Sequence, residues 1–370
     1  MSETPPLETT CLYSGILHCF VAFDWGEEVS LEKVKNLVPA QVHTLPRKSR
    51  TPPSIAYQAP PLRFDLAPIA LTLPVLGTVQ AQADLMLFDF AAVSLQMQVP
   101  FRLPAPELTR LAGALADAAI FVKAAREASE SIYSRLLSAI ENPHWIDLSE
   151  EYFVFQLIPE QQTPAPAQLL AQSPGWLAGL VRLESDPLSD GEITEALRLR
   201  LSYSPQDLMV TDWTAAVVVD RDCGEILETM AFANLQLLEF RHIDNRLDLR
   251  MKSACALIHQ LARTNLPFWR KHERRLRDLG ELKVEVNGMF EQASNALTLV
   301  GDPFVARVYQ QVATRFHLEE WSTNIRRSIS VLEGIYQVVS NQAASYRTEM
   351  LEITVVVLIL IEILLAVFRH

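Results

Sequence analysis

The sequence predicts an α+β protein. A mixed α/β domain over residues 1–223 precedes a helical domain over 224–349 with an antiparallel, coiled-coil-like hairpin stalk, and one membrane-spanning helix over 350–368 ends the chain. Three observations carry this. Thirteen prolines fall in residues 1–110, seven in 111–210 and only Pro267 and Pro303 beyond. Proline interrupts helices and central strands, so the first half is broken α/β structure and the second is free to form long helices. Apolar residues then recur at alternating spacings of four and three in two late segments, the pattern of helices that pair along a seam. Finally, from Met350 to Phe368 only Glu352, Thr354 and Glu362 are polar.

In the first region, Ile16–Phe23 alternates and is rich in β-branched and aromatic residues, so it reads as a strand. Ser30, with Glu32 behind it, caps a short helix to about Leu37. Residues 42–76 read as a proline-rich loop carrying Arg47, Lys48 and Arg50, with a short strand near Ile55–Tyr57. Thr78–Phe88 and Ala91–Val99 show period-two patterning and read as an antiparallel pair. A long helix is expected over Glu107–Ile140, a buried strand over Tyr152–Leu157, and a helix over Pro166–Leu183 interrupted at Pro174-Gly175. The chain turns β again near Tyr203, with Trp213–Val219 the clearest buried strand and Asp220–Gly224 its turn.

From Glu225 a helix of about 40 residues is expected, stopping at Thr264-Asn-Leu-Pro267. A second follows over about Trp269–Val300, and Gly301-Asp-Pro303 opens a third, Phe304–Phe316. The last begins near Leu318. Its seam is Trp321, Ile325, Ser328, Leu332, Ile335, Val339, Gln342 and Tyr346, and the second helix offers Leu279, Leu282, Val286, Met289, Ala293 and Ala296 at the same spacing. Two such helices joined by a turn make an antiparallel hairpin, with oligomer contacts expected along the seam.

The 19 residues of 350–368 would span about 28 Å as a helix, roughly a bilayer's hydrocarbon thickness. Ile353, Val356, Leu360, Leu365 and Phe368 would face lipid. An ionised Glu362 inside it would cost on the order of 3 kcal/mol unless it reached the Arg369 end or paired with another chain. The N-terminus lacks a basic region followed by an apolar run, so no secretion signal is expected. Together these predict a tail-anchored protein, with most of its chain on the side of synthesis.

Charge is uneven. The net charge is −12, which argues against a surface coated for nucleic acid. Yet residues 250–277 carry eight basic side chains, among them Arg270, Lys271, Arg274, Arg275 and Arg277, against Glu273 alone. Such a cluster suits anionic lipid headgroups, ribosomal RNA phosphates or a solvated face. Upstream, Asn234, Glu239, Arg241, Asp244 and Asp248 recur three to five residues apart on one predicted helix. They read as a salt-bridged helix face, or as a polar network joining the helix to the α/β domain or another subunit. The four cysteines are scattered, excluding a disulfide scaffold. None of the eight histidines lies in HExxH or another ligand spacing along the chain, and phosphate-loop, dinucleotide and nucleophile-elbow motifs are absent. No catalytic residue, cofactor, metal or small-molecule substrate is therefore assigned.

The ordered set Trp213–Val219, Phe232-Ala-Asn-Leu-Gln-Leu-Leu-Glu-Phe-Arg241 with Asp244 and Leu247-Asp248, Gly301-Asp-Pro-Phe-Val-Ala-Arg-Val-Tyr309, Trp321 through Tyr336 and Leu351–Glu362 resembles a family of unknown function that includes the "required for meiotic nuclear division" proteins. The resemblance covers about residues 200–368. It implies a bacterial relative attached to the inner membrane with most of its chain cytoplasmic, and self-association, with no catalytic residues to carry over. The expected function is a tail-anchored, homo-oligomeric scaffold. The alternatives are an ion-transport assembly distantly similar to CorA-type channels, or a membrane-bound ribosome or RNA contact through 250–277.

Overall fold

The computed structural model describes residues 11–39, 41–42, 55–161, 163–261, 277, 280–281, 284, 286–294, 297–299 and 303–368, and side chains at most of them. The chain divides into two compact units: Met1–His242 with Gln292–Glu320, and Ile243–Glu291 with Trp321–His370.

The first unit is built on a ten-stranded mixed sheet. Its strands are β1 (Leu12–Asp24), β3 (Gln41–Val42), β5 (Leu62–Asp65), β6 (Ile69–Leu73), β7 (Gly77–Leu87), β8 (Ala92–Pro104), β10 (Glu150–Leu157), β11 (Arg200–Leu201), β12 (Leu208–Thr211) and β13 (Ala215–Val219). The order is β11-β12-β13-β10-β1-β8-β7-β5-β3, with β6 also on β7. The central β1 pairs along its whole length with β8, from Leu12↔Pro104 to Asp24↔Ala92. On its other side it pairs with β10. Only β10 and β13 are parallel; the crossover between them carries α4 (Pro166–Gln172), α5 (Pro174–Arg182) and α6 (Asp190–Ala196). Two small pairs lie apart, β2 (Glu28–Val29) with β9 (Ile140–Glu141), and β4 (Ile55–Tyr57) with β14 (Leu297–Leu299).

Side chains alternate across the sheet. On one face Leu17, Val21 and Phe23 of β1 join Leu95, Met97 and Val99 of β8 and Phe153, Phe155 and Leu157 of β10 in an apolar core. It is covered by α2 (Ala105–Ala114), α3 (Ala119–Leu136) and α5, with Phe121 edge-on to Phe153 at 5.2 Å between ring centroids. The short α1 (Leu31–Leu37) is capped by Ser30, whose hydroxyl accepts the Lys33 N–H. On the opposite face lies the first half of α7 (Gly224–Leu261), its Phe232, Leu235 and Leu238 packed on Ala22, Phe88, Phe90 and Ala92. α8 (Pro303–Arg315) is tied down by Gln311 to Thr211 at 3.1 Å and by Arg315, 3.2 Å from buried Asp212.

Several sequence expectations change. The helix expected over 107–140 is two: the Asp117 carboxylate accepts the Ala119 N–H at 3.1 Å and restarts the chain as α3. Residues 42–76 contain β5 and β6 as well as β4, because Pro60, Pro61, Pro68 and Pro74 fall between these strands and leave their hydrogen-bonding residues free of proline. Trp213 precedes β13 and is largely exposed. Residues 297–299 are strand, so the helix expected to reach Val300 ends earlier.

In the second unit, helical residues 286–291 run antiparallel to α9 (Leu318–Phe368). The Arg326 guanidinium lies 4.9 Å above the Phe290 ring, and Gly280 faces the Tyr336 ring; one number rises as the other falls. Ile325 and Leu332 are buried, Trp321 and Ile335 half-buried; the Val339 and Tyr346 side chains lie outside the described residues.

The fold class and location expected for the C-terminus are corrected. Among the described residues no helix is long and apolar enough to cross a membrane. Glu352 and Glu362 interrupt the apolar run at the end of α9. Ile353, Val356, Leu360, Glu362 and Leu365 are exposed, and the Phe368 side chain lies outside the described residues. The expected single-pass C-terminal anchor is therefore not supported. The fold is mixed α/β around a large mixed sheet.

Candidate metal centre

The face of the sheet beneath α7 is polar to an unusual degree. His18, Asp24, Asp84, Ser94, Glu150 and Gln156 are buried on it, and α7 buries Glu228, Thr229, Asn234, Gln236, Glu239 and His242. Most of these have structural partners. His18 bridges the sheet between Gln96 and Gln156, both at 3.0 Å, and burial lowers its pKa to about 4, so the ring is neutral at pH 7. Tyr57 donates to Glu228 at 2.6 Å, and Tyr309 to the Gln236 carbonyl oxygen at 2.5 Å.

At one end of this layer three ligating groups converge. Asp24 is the last residue of β1 and lies two residues beyond Ala22, on the face that α7 covers. Two strand residues advance about 6.6 Å and one helical turn about 5.4 Å, so the turn of α7 after Leu238 falls over Asp24. That turn carries Glu239 and His242, three apart and therefore on one helix face. His242 Nε2 is 3.6 Å from Asp24 Oδ2.

The third group, His144, arrives on a loop. β2 pairs with β9, and the Glu27 N–H donates to the Glu141 carbonyl, which holds residues 140–144 against the turn after β1. Gly26 is needed there: a Cβ would meet the Ile140 side chain at 2.4 Å. Its N–H donates to Asp24 Oδ1 at 2.8 Å and fixes that carboxylate. The His144 N–H then donates to the Trp25 carbonyl. Its ring Nδ1 is 2.6 Å from the Asn142 carbonyl oxygen. A carbonyl only accepts, so Nδ1 carries the proton and Nε2 presents its lone pair, the orientation that metal-bound histidines take from a second partner.

Asp24, His144 and His242 each offer a ligand atom, and these all lie within 4.8 Å of one another. Around one ion with bonds of about 2.1 Å, tetrahedral ligand atoms stand about 3.4 Å apart, so modest closure completes the set. The donors, two imidazoles and a carboxylate, suit zinc or iron(II). Trp25, Tyr133 and Trp145 pack on one another as part of the apolar core, their ring centroids 5.1–5.6 Å apart. Burial, with the Asp24 charge adding to it, raises the Tyr133 pKa.

The sequence-predicted polar residues divide. Asn234 donates to the Glu150 carbonyl at 3.0 Å and Arg241 forms an ion pair with the Glu150 carboxylate, so these two bind the sheet and are not a solvated face. Glu239 is buried beside the centre. Asp244 and Asp248 belong to the second unit, the first half-buried and the second exposed. Arg277 is exposed; Arg270, Lys271, Arg274 and Arg275 lie outside the described residues. Sequence reasoning missed Asp24, His144 and His242 because it sought ligands spaced along one segment. The available signal was Glu239-x-x-His242, two ligand types on one face of a helix.

No solved structure matches the chain. It is 24% identical over 245 residues, 66% of its length and 74% of the relative's, to "Uncharacterized protein MJ0711" of Methanocaldococcus jannaschii. That relative is archaeal, where the sequence reading expected bacterial kinship. Residues 14–225, which include Asp24 and His144, match the family described as "Uncharacterized protein MJ0711, N-terminal domain". This match lies mainly upstream of residues 200–368, where the meiotic-division resemblance was read. Because it covers more than half of the 370-residue chain, the protein belongs to that uncharacterised family.

Proposed function

We propose that this protein binds a divalent transition metal through Asp24, His144 and His242. The observation that carries the reading is the convergence of their ligand atoms within 4.8 Å, from a strand end, a loop and a helix. Asp24 and His242 are buried, so an ion between them would be shielded from solvent. Three protein ligands leave coordination positions for water or a further group. The test is titration of chelator-stripped full chain with Zn2+, Mn2+ and anaerobic Fe2+. One ion per chain is expected, with His144→Ala and His242→Ala each weakening binding by more than about 100-fold, beyond the 10–100-fold cost of losing an outer-shell partner. Wild type that binds no ion, or variants that bind as well as wild type, would overturn it.

A second reading is self-association through α9. All described side chains from 351 to 365 are exposed, large apolar ones among them, and an apolar surface of that extent marks a contact. Ile353, Val356 and Leu360 continue the four-three spacing of the seam, which favours a second copy as the cover. Sedimentation of the full chain showing a single monomer would exclude it. Kinship of the family with the meiotic-division proteins is likewise a proposal, supported by the ordered motifs over 200–368.

A further inference from the structure

We infer that Glu239 is a fourth protein ligand of this centre, so that a dication and its set of two imidazoles and two carboxylates are neutral together. The inference rests on the three-ligand reading above and deepens it. Glu239 precedes His242 by three residues on α7, so the two side chains leave one face of the helix. It is 3% exposed, and its Oε1 has no hydrogen-bond partner among the described residues. An unsatisfied carboxylate oxygen at that depth is costly to the fold. The neighbouring basic side chain of α7, Arg241, is held on Glu150. Glu239 stands outside the set within 4.8 Å, so ligation draws it inward by rotation about its three side-chain bonds.

A dication resolves this arrangement at a stroke. Its two charges balance Asp24 and Glu239, and the histidines add no charge. The resulting N2O2 set selects Zn2+, Fe2+ or Mn2+ over Cu+, which prefers sulfur. Among the described residues no thiol joins the set, and Cys19 belongs to the apolar core on the opposite face of the sheet.

Co2+ is the probe, because its visible bands report the number and type of its ligands. The full-length wild type should bind one Co2+ with bands of a protein-ligated centre. Glu239→Gln should shift and weaken those bands and loosen Co2+ by more than roughly 100-fold. Glu239→Asp should keep a carboxylate and fall between the two. Metal-free Glu239→Gln should melt at or above wild type, showing that the loss is one of ligation and not of folding. If Glu239→Gln, or Glu239→Asp should the amide not fold, binds with wild-type affinity and spectrum while His144→Ala does not bind, the fourth ligand is refuted and the three-ligand centre stands. If wild type takes up no Co2+, both readings fall.

Discussion

The two faces of the central sheet solve burial differently. Against α2, α3 and α5 the strands present Leu17, Val21, Phe153 and Phe155, and the interior is hydrocarbon and aromatic. Against α7 the same strands present His18, Asp24, Glu150 and Gln156, and the helix answers with Asn234, Gln236, Glu239 and His242. Apolar burial needs only shape and stabilises in proportion to area. Polar burial must be matched group by group, and each unmatched group costs. A chain that keeps a dozen buried polar groups on one face has a reason there other than stability. The metal centre proposed on the α7 face would supply such a reason.

That contrast can be broken from either side. The largest effect is expected on the apolar face: Phe155→Ala should cost about 3–5 kcal/mol in urea unfolding, the range for deleting a buried aromatic. A cost below about 1 kcal/mol would mean that this face is not the chain's main core.

On the polar face His18 gives a pH signature. Its pKa is about 4 in the fold against 6.5 when unfolded. Between these values the unfolded chain binds the additional proton, so stability falls as pH drops from 6.5 towards 4 and this contribution is whole above 6.5. The shift corresponds to about 3 kcal/mol. His18→Gln should flatten that portion of the acid limb; an unchanged acid limb would show that His18 is not buried neutral. The smallest effect belongs to the rim. Arg126 and Asp147 pair at 2.8 Å but are exposed, and Asp147→Asn should alter stability by no more than about 0.5–1 kcal/mol.

Much of the framework was legible from pattern. Period-two alternation found β1, β7 and β8, and an apolar run found the buried β10. Pro303 marked a helix start where it stands, and Pro174 the break between α4 and α5. The polar run in α7 was visible, but its partners were not: Glu150 and Asp24 meet it through sheet register and helix rise, which no local pattern encodes. The centre was the least legible. Asp24 and His144 are 120 positions apart and meet through the two-residue pair β2–β9 and the Gly26 turn. The end of α9 erred the other way. Its composition read as a bilayer span, while among the described residues no helix is long and apolar enough to cross a membrane.

The most direct test of the centre is an anomalous-scattering difference map from crystals of the full chain grown with Zn2+. The account predicts one strong peak per chain between the β1 end, the 140–144 loop and α7, about 2.0–2.2 Å from Asp24, His144 and His242. Data showing those three side chains without a peak between them, or with the only peaks on surface residues, would contradict it.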